Sequence, residues 1–218
     1  MAAKIRLVIF DLDGTLVNAY KAVAQSVNFS LKKMGYPSLT DETIKRSVGW
    51  GDKNLISRFV TPTDVDGVLA IYRRHHKKSL KTGTKFLPGA KKLLFKLKKN
   101  GYRLAIASNR PSFYTKIILK HLNISSLFSC VICADQVKRG KPAGDILKEI
   151  LKKLLLKPHE ALYVGDMTID VQAGQKAGIK TVAVVTGSSF RKEVVSFKPF
   201  KIINSIGAIE GVLQKIDF

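Results

Sequence analysis

Asp11 and Asp13 stand one residue apart directly after the apolar run Leu7-Val8-Ile9-Phe10, and Gly14 follows them. Ser108 and Asn109 end a second apolar run, Lys141 follows a third, and Asp166 and Asp170 follow a fourth. Four carboxylates gathered at one place would repel one another. A hard cation with a preference for oxygen, Mg²⁺ above all, is the natural partner for such a set. A cation, an ammonium and a hydroxyl together make a receptor for a phosphoryl group. Taken singly, each residue has an ordinary explanation. An acid after a strand commonly caps a helix or forms a turn. Ser108-Asn109 would serve as a cap, and Lys141-Pro142 as a loop lysine before a proline at a first helical position. The weight lies in their recurrence at the ends of successive apolar runs.

Those runs must be strands for the residues to meet. Lys4 to Phe10, Arg103 to Ala107, Cys130 to Ala134, Ala161 to Val164 and Thr181 to Val185 are short, β-branched runs of the kind buried in a parallel sheet. Between them lie helical stripes: Ala90, Leu93, Leu94 and Leu97; Ser112 to Leu122; Ile146, Leu147, Ile150, Leu151, Leu154 and Leu155; and Ile169 to Ala177. Strands alternating with helices predict an α/β fold, a doubly wound, Rossmann-like parallel sheet. Ligands bind beyond the carboxyl ends of the strands in such sheets, where the candidate residues fall. Residues 17–82 break the alternation. They read as helices only, with a stripe at Ala22, Val23, Ser26, Val27 and Leu31, and with Thr40 as a cap. The expected organisation is an α/β core of residues 1–16 and 83–218 with an inserted α-helical cap over residues 17–82.

At this point the motifs carry a resemblance. Asp11-Leu12-Asp13-Gly14-Thr15-Leu16 resembles the first motif of the haloacid dehalogenase superfamily. Ser108, Lys141-Pro142 and Gly165-Asp166-Met167-Thr168-Ile169-Asp170 fall in order at the places of its other three. Lys45 to Gly51 and Leu87-Pro88-Gly89-Ala90 are similar to its phosphoglycolate phosphatase-like branch. The resemblance implies Asp11 as the nucleophile that takes the phosphoryl group, Asp13 as general acid and base, and Lys141 as the group that offsets charge between Asp11 and the phosphate. It implies a Mg²⁺ cofactor held by Asp11, Asp13, Asp166 and Asp170. Thr15, Ser108 and Asn109 are implied to bind substrate, as are Arg46, Gly49, Trp50 and Gly51 from the cap. A carboxylate at position 13 argues for an oxygen leaving group, which needs a proton where a halide does not. The implied substrate is a small phosphorylated metabolite. A sugar phosphomutase or a pyrophosphatase would use the same machinery.

Composition narrows the setting. Hydrophobic residues make up 45% of the 218 and charged ones 25%, enough apolar side chain for a real core. No run approaches the roughly 18 apolar residues of a membrane-spanning helix, and two cysteines make no disulfide framework. A cytoplasmic protein, monomeric or homodimeric and without membrane association, is expected. The formal charge is +22, and residues 17–84 carry 12 of the 38 basic and 5 of the 16 acidic residues. The excess is therefore spread along the chain, which implies nonspecific attraction to polyanions rather than a dedicated nucleic-acid function. A polyanion-binding protein is the alternative of a different class. Cys130-x-x-Cys133 lies on a predicted strand, where side chains three apart face opposite ways, and reads as core. His75-His76 reads as part of a solvated helix face.

Overall fold

The computed structural model describes residues 4–217. Along the chain run β1 (Leu7–Phe10), β2 (Val17–Asn18), α1 (Tyr20–Lys33), α2 (Asp41–Ser47), α3 (Asp52–Ser57), α4 (Val65–Gly83), β3 (Lys85–Phe86), α5 (Ala90–Lys99) and β4 (Arg103–Ser108). They continue as α6 (Ser112–His121), β5 (Cys130–Cys133), α7 (Asp145–Leu154), β6 (Ala161–Gly165), α8 (Thr168–Ala177), β7 (Lys180–Val184), α9 (Arg191–Ser196), β8 (Lys201–Ile203) and α10 (Ile209–Asp217). Six strands form one parallel sheet in the order β5-β4-β1-β6-β7-β8.

Every residue of β1 is buried because both faces of the sheet are covered. Val8 and Phe10, with Leu104, Ile106, Leu162 and Val164, pack on the face that α5, α6 and α10 close. Leu7 and Ile9, with Ala105, Ala107, Ala161 and Tyr163, pack on the face under α7 and α8. The strict alternation is the two-residue period of a strand. It also sets the direction of Asp11. That residue has the parity of Leu7 and Ile9, so its side chain leaves the sheet on the side of Tyr163, α7 and α8.

The helices between residues 20 and 83 have a core of their own, with Val27, Leu31, Ile44, Ile56, Val68 and Tyr72 buried together. At its neck β2 and β3 pair antiparallel, Val17 with Phe86 and Asn18 with Lys85. Asn18 Oδ1 accepts from the Tyr20 backbone N–H (3.1 Å) in the turn that leads into α1. Thr40 accepts from the Thr43 N–H (3.2 Å), the cap expected there.

The structure adds elements the periodicity does not announce: the β2–β3 pair, α9, α10 and the edge strand β8. These are only two to nine residues long, too short for a period to emerge. Leu155 departs from its expected place in the core stripe of α7. The helix ends at Leu154, and Leu155 takes a left-handed conformation (φ 52) at 91% exposure. His76 departs more consequentially. It is fully buried, between Tyr72 and Tyr114, rather than on a solvated face. Cys130 and Cys133 are free thiols on β5: Cys133 is buried, as expected of a core residue, and Cys130 is half-buried against the face under α7 and α8. Among the described residues, no helix is long and apolar enough to cross a membrane.

Candidate active site

β1 lies between β4 and β6, so the chain leaves it toward one side of the sheet and returns on the other. This is the switch point at which doubly wound sheets open a crevice. Phe10 is in register with Ile106 and with Val164. Asp11 then continues the ladder, donating its N–H to the Val164 carbonyl (2.8 Å). Ser108 and Asp166, each two residues beyond those partners, come out beside it. The register alone thus carries three separated motifs to one edge.

Lys141 reaches in from the loop before α7. Its Nζ donates to Asp11 Oδ1 (2.6 Å), Asp170 Oδ1 (2.7 Å), the Ala107 carbonyl (3.1 Å) and Tyr163 Oη (3.1 Å). Asp170 has two tasks. Oδ2 accepts from the backbone N–H groups of Asp166 (3.1 Å) and Met167 (2.9 Å) at the start of α8, while Oδ1 holds Lys141 and accepts from Tyr163 Oη (2.7 Å). Asp166 is fixed by Thr15 Oγ1 (3.0 Å) and by the Ser188 N–H (3.2 Å). Gly14 makes this approach possible. It turns with φ +83, and a Cβ there would lie 2.6 Å from Asp166 Oδ2.

The electrostatics are lopsided. Asp11, Asp166 and Asp170 are buried, with one ligand atom from each within 4.8 Å of the others, and a single ammonium stands among them. Burial pushes the Asp11 carboxyl up to about 7 against the pull of Lys141, with Asp170 adding to the rise. Burial, then Asp11 and Asp170, raise Asp166 well above the ordinary carboxylate range. Burial alone would lower the Lys141 pKa. Asp11 and Asp170 overcome it and hold its pKa well above the usual value. Three carboxylates against one ammonium leave negative charge uncompensated in a desolvated place. Their all-oxygen donor set fits a hard divalent cation.

Asp13 turns away from this cluster. Arg110 grips it through Nε to Oδ2 (2.7 Å) and Nη2 to Oδ1 (2.9 Å). The third donor group of Arg110, Nη1, lies 2.7 Å from His76 Nε2. A guanidinium only donates, so His76 accepts at Nε2 and carries its proton on Nδ1, toward Ser26 Oγ (3.1 Å). Burial, followed by the charge of Arg110, drives the His76 pKa down to about 2, which keeps the imidazole neutral.

Asp11, Asp13, Ser108, Asn109, Arg110, Lys141 and Asp170 share one cavity of about 80 Å³, closed from the insert by Val48, Gly49, Gly51, Leu55 and Tyr72. The family model for haloacid dehalogenase-like hydrolases matches residues 8–184. This chain belongs to that family. Relatives of this hydrolase include a phosphoglycolate phosphatase of Nitrosospira multiformis, 30% identical over 97% of this chain and 96% of the relative. A phosphoglycolate phosphatase of Aliivibrio fischeri is 31% identical over 98% and 99%. Among solved structures, a predicted phosphoglycolate phosphatase from Haemophilus somnus superposes with a TM-score of 0.91 at 26% identity, over 95% of this chain and 97% of that one.

Within this hydrolase the residues expected to meet substrate divide. Ser108, Asn109, Gly49 and Gly51 line the cavity. Asn109 also ties the insert to the core, since Nδ2 donates to the carbonyls of Gly49 (2.9 Å) and Lys141 (2.8 Å) while Oδ1 accepts from the Lys141 N–H (2.8 Å). Thr15, Arg46 and Trp50 do not line it. Thr15 is fully buried behind Asp166, to which its hydroxyl is committed. Arg46 is spent on an ion pair with Glu193 of α9 (2.6 Å), a hydrogen bond to the Ser188 carbonyl and a stack over Phe190. Trp50 sits between Gly49 (φ 104) and Gly51 (φ 90), and that left-handed pair turns its ring outward to 41% exposure. There it borders a separate open groove with Arg46, Ser188 and Glu193. Arg110, His76 and Tyr163 are the site residues that sequence reasoning misses. Only Arg110, adjacent to Ser108-Asn109 at a strand end, offers a signal.

Proposed function

We propose that this hydrolase is a Mg²⁺-dependent phosphomonoesterase. It acts on a small phosphorylated acid of the phosphoglycolate kind through an aspartyl-phosphate on Asp11. The observation that carries the reading is the buried contact of Lys141 with both Asp11 and Asp170, beside Asp166 and at the mouth of a cavity that also holds Asp13 and Ser108. The names of the relatives supply the substrate class.

Asp11, Asp166 and Asp170, with the backbone carbonyl of Asp13, would hold Mg²⁺. Bound there, the cation would supply charge stabilisation for the oxygens of the transferring phosphoryl group. An oxygen of Asp11 attacks phosphorus, and the bond to the leaving oxygen breaks as Asp13 delivers a proton to it. A water then attacks phosphorus, giving its proton to Asp13, and the bond from phosphorus to Asp11 breaks. Ser108 and Lys141 orient the phosphoryl oxygens throughout and offset the charge that develops on them. Tyr163 and Asp170 keep Lys141 fixed and protonated, so Lys141 keeps its place throughout. The free thiols of Cys130 and Cys133 fit a reducing cytoplasmic setting.

The test is hydrolysis of p-nitrophenyl phosphate and of a panel of phosphorylated metabolites. Turnover is expected with Mg²⁺ and is lost with a chelator, and 2-phosphoglycolate is expected among the best substrates. Absence of phosphatase activity together with steep salt-dependent retention on DNA would replace this reading with a polyanion-binding role.

A further inference from the structure

Arg110 belongs to no part of the phosphoryl machinery. Yet it is a buried cation in the same cavity, its side chain only 11% exposed, and the groups that meet it come from two parts of the molecule. Its bidentate fork holds the carboxylate of Asp13 from the core. His76, on α4 of the helical insert, accepts its remaining donor group. Burial by itself would favour a neutral guanidine, and Asp13 outweighs it, so Arg110 stays charged. Charge in a dry site demands a partner at all times.

In this arrangement both oxygens of Asp13 are occupied by Arg110. A carboxylate so held is aimed at Arg110 and not at the leaving oxygen of a phosphate ester, where the proposed chemistry needs it. Arg110 must therefore be given another anion before Asp13 can turn to the ester. The fork shows which anion fits. It already embraces a carboxylate in two parallel hydrogen bonds, the geometry in which a planar guanidinium is matched to a planar carboxylate. Arg110 and Asp11 line the same cavity, whose insert side is apolar, from Val48, Leu55 and Tyr72. A substrate whose phosphoryl group lies against Asp11 can reach Arg110 with only a short carbon linker.

We infer that Arg110 is the specificity-determining residue of this site: the carboxylate of a two- or three-carbon phosphorylated acid replaces Asp13 on its fork and thereby frees Asp13 for the leaving group. This deepens the phosphomonoesterase reading and rests on it. A phosphate ester without the carboxylate is held by its phosphoryl group but leaves Arg110 on Asp13, so its deficit falls mainly in kcat. His76 holds the third donor group of Arg110, so the fork keeps its aim while the anion changes, and the insert must be seated for it to do so.

The test compares 2-phosphoglycolate with 2-hydroxyethyl phosphate, which has the same length and a hydroxymethyl group in place of the carboxylate. Both are assayed with Mg²⁺ on the full chain, its Arg110→Gln variant and its Arg110→Lys variant, and folding of each is checked by circular dichroism. The unaltered protein is expected to favour the acid by about 100-fold in kcat/KM, the worth of a charge-assisted pair in a desolvated site. Arg110→Gln is expected to collapse that preference toward one, through a higher kcat on the uncharged ester, whose deficit Arg110 imposes, and a higher KM on the acid, and Arg110→Lys to retain part of it. Equal losses on both substrates in Arg110→Gln, with the preference intact, would overturn the inference. So would an unaltered protein that hydrolyses both equally, and that result would leave the phosphatase reading standing. Failure to hydrolyse either ester or p-nitrophenyl phosphate would remove the phosphatase reading itself.

Discussion

Two buried cations serve this site, and they are built differently. Lys141 is held wholly by the α/β core: Asp11 after β1, the Ala107 carbonyl on β4, Tyr163 on β6 and Asp170 on α8. Arg110 is held across a seam, by Asp13 from the core and by His76 from the insert. The first arrangement is complete whether or not a substrate is present. The second depends on which carboxylate is on hand and on how the insert sits. The chemistry shared by a superfamily belongs in the rigid half, and the choice of substrate belongs at the seam.

Breaking the core cation should do the greatest damage. Lys141→Met leaves three buried carboxylates with no counter-ion from the chain. Turnover is expected to fall by about a thousandfold or more. Stability should fall by about 3–5 kcal/mol, the usual consequence of deleting one partner of a buried ion pair. Steady-state assays and urea unfolding check the two effects, and near-normal values in both would show that Lys141 is not integral. Asp13→Asn should reduce turnover by roughly 10²–10⁴-fold. It should also lower stability, by up to about 3–5 kcal/mol, because the buried Arg110 cation loses its carboxylate partner and one acceptor oxygen becomes a donor. Retained activity would remove Asp13 from the proton transfers.

The seam has its own signature in pH. His76 has a folded-state pKa of about 2 against 6.5 in the unfolded chain. The unfolded chain therefore takes up the proton first as pH falls, and stability is lost through that window at about 1.4 kcal/mol per unit. Between pH 6.5 and 5 the protein should lose about 2 kcal/mol relative to its His76→Gln variant, which cannot titrate there. Denaturant midpoints at the two pH values measure the difference, and parallel curves would show that His76 is solvated. Smallest of all should be the Arg46–Glu193 pair, which joins the insert to α9 with each side chain about a third exposed. A double-mutant cycle with Arg46→Ala and Glu193→Ala is expected to give a coupling of about 0.5 kcal/mol that shrinks with salt. A coupling of several kcal/mol would make it a principal clamp on the insert.

The same division explains what the sequence made legible. Asp11, Lys141, Asp166 and Asp170 are readable because each follows an apolar strand, and parallel register forces strand ends together. The parallel core and the helical run between residues 20 and 83 are readable from their periods. The pairing of Arg110 with His76 is not, since it is a contact between residues 34 positions apart that no local period records. His76 sits in the polar run Arg73 to Lys78, and only packing against Tyr72 and Tyr114 reveals it as interior. Arg46 and Trp50 mislead for a related reason. A basic residue and an aromatic beside glycines look like ligand-binding groups, but a partner on α9 claims the first and the backbone turn points the second outward. Tyr163 hides as an ordinary strand aromatic, although its hydroxyl holds both Lys141 and Asp170.

The central claim is that the carboxylate of Asp11 is phosphorylated in every cycle. Two successive in-line displacements at one phosphorus restore its original handedness, whereas direct attack by water reverses it. The decisive measurement is therefore the stereochemical course of hydrolysis of an ester whose phosphorus is made chiral with sulfur and an oxygen isotope, run in isotopically labelled water. The account predicts net retention, and net inversion would contradict it.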